Sequence, residues 1–321
     1  MNGHSVKPDG EFVLYWMIAA RRATSNFALQ RAIEWSVKLR KPLLVLEALR
    51  VGYEWASDRL HRFVLQGMAD NQVAFASKPV SYYPYVEPNP GAGSGLVKEL
   101  ASKACVVVTD DFPCFFIPQM LSKTAPRLLT LLEAVDSNGL LPMRAANSVF
   151  PTAYSFRRFL QREIESHLDE LPEPDPFAEV KLPRARLVAS AILSKWPEAT
   201  DQLLTGSAES LADFPIDHSV GPAAFRGGSV AADETLQAFL DERLHRYHED
   251  RSQPEADVAS GLSPWLHFGH ISASDVFSQL AMHENWNPDR LANHNKGSRK
   301  GWWGMSEPAE SFLDELITWR E

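Results

Sequence analysis

Phe12-Val13-Leu14-Tyr15-Trp16-Met17 is six consecutive apolar or aromatic residues. A run this short, rich in β formers and apolar at every position, reads as a strand buried on both faces. Asn26-Phe27-Ala28-Leu29-Gln30-Arg31-Ala32-Ile33-Glu34-Trp35 follows with apolar residues at helical spacing. Pro42-Leu43-Leu44-Val45-Leu46-Glu47-Ala48-Leu49 is a second buried strand, and Arg59 to Met68 returns to helical spacing. Cys105-Val106-Val107-Val108-Thr109-Asp110 is a third strand. Strands apolar on both faces that alternate with helices imply a parallel sheet covered on two sides. The expected fold is therefore α/β, with a Rossmann-like parallel-sheet domain over residues 8–150.

Working outward, the stretch 151–229 is rich in Pro, Asp, Ala and Gly. Pro172, Pro174, Pro176, Pro183 and Pro215 break regular structure. It reads as a connector with one helix near Leu187 to Trp196. From Val230 onward strand signals vanish. Thr235 to Tyr247, Ile271 to His283 and Ser311 to Arg320 read as helices, so residues 230–321 form an all-α domain. Its last helical pattern reaches Trp319-Arg320-Glu321 without a cap or stop signal, so this domain reads as incomplete. There is no internal repeat.

The chain has 321 residues, enough for two domains with sizeable cores. Its composition, 45% hydrophobic and 23% charged, is that of an ordinary globular protein. A formal net charge of -9 disfavours whole-surface attraction to nucleic acid, so DNA contact needs a local basic patch. Two cysteines, Cys105 and Cys114, exclude a disulfide framework and point to a reducing compartment, the cytoplasm. No apolar run reaches membrane-spanning length, and the first residues do not form the apolar core of a signal peptide.

Several local patterns are candidates for chemistry. Gly91-Ala92-Gly93-Ser94-Gly95 opens a helix and could cradle phosphate, but no Gly-Lys-Ser/Thr follows, and a structural turn is favoured. The residues before it, Tyr82 to Pro88, read as an extended loop. Asp110-Asp111 ends the third strand, where open α/β sheets bind ligands. A metal or chromophore site there competes with the favoured reading, a helix cap plus a solvated acid. Arg21-Arg22 follows the first strand and reads as surface. The cysteines lie nine positions apart with no CxxC, and the histidines lack HExxH or triad context, so no metal site is assigned. Lys296-Gly297-Ser298-Arg299-Lys300-Gly301-Trp302-Trp303 mixes basic and aromatic residues. It suits nucleic-acid backbone and bases as well as it suits a solvated loop.

Ser260-Gly261-Leu262-Ser263-Pro264-Trp265-Leu266-His267-Phe268-Gly269 carries the most specific signal, with Tyr247 thirteen residues upstream of Ser260. Two hydroxyls flank Gly and Leu just ahead of a helical segment. Such a turn offers N–H and O–H donors to a phosphate, and is by itself also an ordinary helix start.

The Ser-x-Leu-Ser-Pro-x-Leu-His-Phe-Gly pattern resembles the motif with which DNA photolyases and cryptochromes hold the FAD diphosphate. Phe312 to Glu321 resembles the next flavin-domain motif of that family. Leu14-Tyr15-Trp16-Met17 with Asn26-Phe27-Ala28-Leu29, the Arg62-Phe63-Val64-Leu65-Gln66-Gly67 helix and Val108-Thr109-Asp110 are similar to class II photolyases. The resemblance covers nearly the whole chain. It implies an antenna-type α/β domain, a connector and a helical FAD-binding domain. It implies FAD as cofactor, contacted by Tyr247, Ser260, Gly261, Leu262 and Ser263, and a second antenna chromophore of deazaflavin or folate type. Glu315 matches a family acid near the flavin and substrate pocket, and Trp319 and Arg320 align with the strip lining the lesion cavity. These make Glu315 and Trp319 the catalytic candidates. The implied activity is that of a deoxyribodipyrimidine photolyase, a lyase. It repairs cyclobutane pyrimidine dimers in UV-damaged DNA with light and an electron from reduced FAD, as a monomer away from any membrane. A cryptochrome-like light sensor and a nucleotide- or chromophore-binding interaction protein are the alternatives. Two departures stand out. Ala259 sits where many members have Thr or Ser, and Ile18-Ala19-Ala20-Arg21-Arg22 replaces the Ser-Arg-Asp stretch common in class II. The missing remainder of the FAD domain leads us to expect weak or no FAD binding by this chain alone.

Overall fold

The computed structural model describes residues 1–184 and 188–320. Five strands, β1 (Phe12–Met17), β2 (Leu43–Leu49), β3 (Ser81–Val86), β4 (Ala104–Asp111) and β5 (Leu132–Asp136), pair in parallel in the order β3-β2-β1-β4-β5. Every residue of β1 is buried, and its side chains alternate between two cores. Phe12, Leu14 and Trp16 pack with α3 (Leu96–Lys103) and α4 (Ile117–Thr124), named in sequence after α1 (Phe27–Leu39) and α2 (Asp58–Ala76). Val13, Tyr15 and Met17 pack on the opposite face with Ala28, Leu29, Ala32 and Ile33 of α1. Helices on both faces of a parallel sheet are what a strand apolar on both sides requires. At about 25 cal/mol per Å² of apolar surface, such central strands supply much of the driving force for folding.

β3 corrects the sequence reading of residues 82–88 as a loop. Pro84 lowers its strand signal, yet β3 is the outer strand, where a missing N–H can be tolerated. β5 lies where the sequence carries no strand signal. Its sequence, Leu-Glu-Ala-Val-Asp, carries only one fully buried side chain. The helix expected near Leu187 to Trp196 is Ser190–Lys195, and Leu187 lies outside the described residues.

The chain divides into two compact units. The first holds residues 1–137, 173–231 and 268–270, and the second holds residues 138–172, 232–267 and those from Ile271 onward. The second contains no strand among its described residues. Its helix α5 (Ala153–Glu163) starts at a capping box of Thr152 and Ser155. Helix Ala273–His283 is capped by the Ser272 side chain and helix Glu307–Leu313 by that of Ser306. Two segments, Phe239–Arg243 and Asp314–Trp319, widen to π-type winding. That winding is rare in helices and concentrates at functional sites. Phe277, Trp286, Trp302 and Trp303 form an aromatic core, with Trp302 and Trp303 centroids 4.9 Å apart. No helix among the described residues is long and apolar enough to cross a membrane.

Candidate functional site

In a sheet of this order, strand sequence reverses direction between β1 and β4, and ligands commonly enter beyond the carboxyl ends at that point. Here the chain itself fills the position. Asp110 Oδ2 accepts the N–H groups of Ile18, Ala19 and Ala20 at 2.8, 2.7 and 3.0 Å. Its Oδ1 accepts the Tyr15 hydroxyl at 2.7 Å. Burial, followed by the charge of Asp110, holds the Tyr15 phenol well above its ordinary pKa. Asn26 completes the cluster, donating to Tyr15 Oη and to the carbonyls of Ala20 and Arg22. Asp110 is therefore neither a helix cap nor a solvated acid, as the sequence suggested. It is a buried acceptor that closes the loop after β1.

Arg21 and Arg22 also differ from their surface reading. Arg22 is only 3% exposed, and its guanidinium donates to the carbonyls of Ser25, Ser137 and Gly269. Arg21 pairs with Glu47 at 3.0 Å. Glu47 is fully buried and also accepts from Asn71 and Tyr82. Buried charges persist only when paired and hydrogen-bonded, and this one has three donors. The partner was hidden in sequence because register, not proximity along the chain, sets Glu47 opposite Met17. The Gly-rich loop at 91–95 is a structural turn. Buried Glu87 accepts the N–H groups of Gly91 and Gly93 at 2.9 and 3.1 Å, and Trp196 donates to the Ala92 carbonyl.

The helical unit is arranged differently. Gly261 adopts φ +73, a left-handed conformation that glycine takes without strain. A Cβ on Gly261 would meet only the Thr235 methyl, at 3.8 Å. The side chain of Leu262 is fully buried and anchors the turn, while Gly261 and Ser263 are exposed and Ser260 is half-buried. Ser260 Oγ accepts the Leu262 N–H at 3.4 Å, and Arg243 donates to the Ala259 carbonyl at 3.1 Å. Ser263 opens the helix Ser263–Phe268, with Pro264 at a position that needs no N–H donor. The turn thus presents two hydroxyls and backbone around a glycine, a donor set that suits an anionic oxygen.

Tyr247 lies in an aromatic cluster with Phe239 and Phe312, each ring centroid 5.6 Å from its own. Burial raises its phenol pKa. Arg251 sits 5.7 Å over the Tyr247 ring and forms an ion pair with Glu315. Trp319, at the end of the second π-type segment, is 64% exposed, and Arg320 donates to the Asn138 carbonyl at 2.7 Å. The structure therefore links Tyr247 to Glu315 through Arg251. The segment Phe239–Arg243 serves two places at once, since Phe239 packs on Tyr247 and Arg243 holds the chain just before Ser260. Arg243, Arg251 and Phe239 went unmarked in sequence, Phe239 and Arg243 lying inside the helical pattern from Thr235 to Tyr247 with no motif to single them out, whereas Phe312 opens the quoted 312–321 stretch. Trp302 and Trp303 are buried core residues, which removes them as platforms for stacked bases. Among the described residues no three His, Cys, Asp or Glu side chains converge to hold a metal ion.

No family model matches the chain. A deoxyribodipyrimidine photo-lyase of Methanothermobacter thermautotrophicus is 28% identical over 272 residues, covering 85% of this chain and 56% of that protein. The protein of the same name from Oryza sativa is 26% identical over 330 residues, covering 98% of this chain and 58% of its own length. The chain thus spans somewhat over half the length of these curated relatives. A crystal structure of a Synechocystis cryptochrome superposes with a TM-score of 0.63 at 14% identity, covering 96% of this chain and 59% of that one. A class III photolyase from Agrobacterium tumefaciens superposes with a TM-score of 0.59 at 16% identity, covering 99% of this chain and 58% of that one. Those two likenesses concern the fold.

Proposed function

We propose that this chain, which belongs to the photolyase/cryptochrome family, contributes the flavin-binding side of a light-dependent DNA-repair lyase acting on cyclobutane pyrimidine dimers. The observation that carries the reading is the 260–263 turn. It is anchored by buried Leu262 and presents the Ser260 and Ser263 hydroxyls around a left-handed glycine. These residues fit a flavin dinucleotide. Ser260 and Ser263 would donate to the diphosphate, and Gly261 lets an anion approach the backbone without a side chain in the way. Tyr247, its ring held by Phe239 and Phe312, would contact the same flavin. The chemistry a flavin held there would supply, in its reduced and photoexcited form, is a one-electron donation to the dimer, with the electron returned once the ring has opened.

The remaining roles fall to the protein. Arg251 fixes the Glu315 carboxylate, which would accept hydrogen bonds from the base edges of a flipped dimer. The exposed Trp319 indole would cover the dimer's apolar face. The interaction-protein alternative relied on Gly91 to Gly95 and Asp110-Asp111. It is weakened because the Gly-rich loop and Asp110 are held by internal hydrogen bonds.

Titration of the chain with FAD, followed by illumination with a dimer-containing oligonucleotide, tests the reading. Saturable flavin binding and light-dependent restoration of pyrimidine absorbance support it. Saturable binding with no repair points to a cryptochrome-like sensor, and flavin affinity unchanged by Ser260→Ala with Ser263→Ala overturns the assignment of the 260–263 turn.

A further inference from the structure

The 260–263 turn sits in acidic surroundings. From 232 to 267 the chain holds eight aspartates and glutamates against three arginines, a net of -5. The turn itself offers an anion only hydroxyls and backbone, with no charge to offset the two that a dinucleotide's diphosphate carries. Two of the three arginines are already neutralised, Arg246 by Asp250 at 2.6 Å and Arg251 by Glu315. Arg243 is the third. Among the described residues it pairs with no carboxylate, and its one hydrogen bond runs from Nη1 to the Ala259 carbonyl at 3.1 Å. Nε and Nη2 are left without a protein acceptor. Arg243 is half-buried and closes the π-type segment Phe239–Arg243. Its guanidinium carbon lies 5.9 Å from the centroid of the Phe239 ring, which is fully buried and packs on Tyr247. Contacts therefore run from Tyr247 through Phe239 and Arg243 to the residue before Ser260. Pinning the Ala259 carbonyl needs a donor but no charge, so the charge of Arg243 is unused by the protein.

We infer that Arg243 is the cation that compensates the flavin diphosphate, giving a phosphate oxygen the N–H groups that Ala259 leaves free. The inference rests on the flavin reading of the 260–263 turn. Arginine binds phosphate through charge-assisted bonds roughly twice as strong as those of neutral donors such as serine. The rigid anchoring of its planar head, on one side by the Ala259 carbonyl and on the other by the Phe239 ring, lowers the entropy lost when a phosphate is bound. The acids around it keep other anions away and leave this one position favourable.

The test is equilibrium dialysis of the full chain in the dark against FAD and, separately, against riboflavin, which shares the ring system and lacks the diphosphate. R243Q keeps a neutral donor for the Ala259 carbonyl and removes the charge. It should weaken FAD binding about tenfold, leave riboflavin within about twofold, and flatten the dependence of FAD affinity on salt. R243K keeps a charge and should recover part of the loss. R246Q removes an equal charge from an arginine that is already paired and should bind FAD within about twofold of the parent. FAD affinity in R243Q equal to that of the parent or of R246Q overturns the inference. So does an equal loss of FAD and riboflavin, which would make Arg243 a support for the turn alone. Where riboflavin binds too weakly to measure, an unchanged salt dependence in R243Q overturns it. A parent with no saturable FAD binding overturns the flavin reading and this inference together. FAD binding that S260A/S263A weakens and R243Q does not overturns this inference alone.

Discussion

In the α/β unit the buried polar side chains are bound by their own chain; in the helical unit the polar turn at 260–263 faces solvent. Asp110 takes three backbone N–H groups and a phenol, Glu47 takes an arginine, an amide and a phenol, and Glu87 takes three N–H groups. Ser260 has one long internal bond and Ser263 is exposed. Both units carry polar residues where a ligand could be imagined. What separates them is whether the donors and acceptors are already satisfied. A carboxylate at a strand's carboxyl end is weak evidence for a ligand until its partners are counted.

Breaking the internally bound side should cost stability. Asp110→Ala leaves three N–H groups and the Tyr15 hydroxyl without their buried acceptor. We expect a loss of about 4 kcal/mol in urea denaturation. A midpoint within experimental scatter of the parent would show that water replaces the carboxylate and that the loop after β1 needs no acid. Gly269→Ala should cost roughly 3 kcal/mol, because φ is +72 and a Cβ would sit 1.7 Å from the Ala19 carbonyl oxygen. Full retention of the parent's melting temperature would contradict that close approach.

Two histidines of the α/β unit sharpen the comparison through pH. Burial lowers the pKa of His61 to about 4, and burial with the nearby Arg21, Arg22 and Arg226 charges lowers that of His270 to about 3. The unfolded chain binds protons near the ordinary 6.5, so below that pH it holds more protons than the folded one. Stability is therefore complete well above pH 6.5 and falls as pH drops through 6.5 towards 4, by roughly 3 kcal/mol per histidine. His61→Phe, which keeps an aromatic ring against Tyr53, should remove about half of the fall in urea midpoints taken across this range. An unchanged slope would assign the acid sensitivity to other groups.

The smallest effect in free energy belongs to the solvent-facing turn. Ser260→Ala with Ser263→Ala should weaken FAD binding about tenfold, near 1.4 kcal/mol, while the urea midpoint stays within about 0.5 kcal/mol of the parent. A large stability loss with unchanged flavin affinity would reverse the comparison, making this turn as structural as Asp110.

The pattern of β1, β2 and β4 was legible because strands buried on both faces must be apolar throughout, and Phe12 to Met17 is. β3 was not, because Pro84 and polar Ser81 suit an outer strand that sequence alone cannot distinguish from a loop. The helices near 235–247 and 311–320 were visible as apolar periodicity, but their π-type widening at Phe239–Arg243 and Asp314–Trp319 was not. At the candidate site, Ser260 to Ser263 stood out as a compact local pattern. Arg243 and Arg251 did not, since each is defined by a partner, Ala259 or Glu315, that lies sixteen or sixty-four residues away.

By itself the sequence determined what depends on neighbours along the chain: the alternation of buried strands and helices, the left-handed glycine turn flanked by serines, and the absence of cysteine and histidine patterns for metal. Tertiary structure alone decided which polar groups remain available. Hydrogen bonds and ion pairs satisfy Asp110, Arg22 and Glu47 across large sequence separations. A donor's availability is a property of everything packed around it, and no local pattern records that.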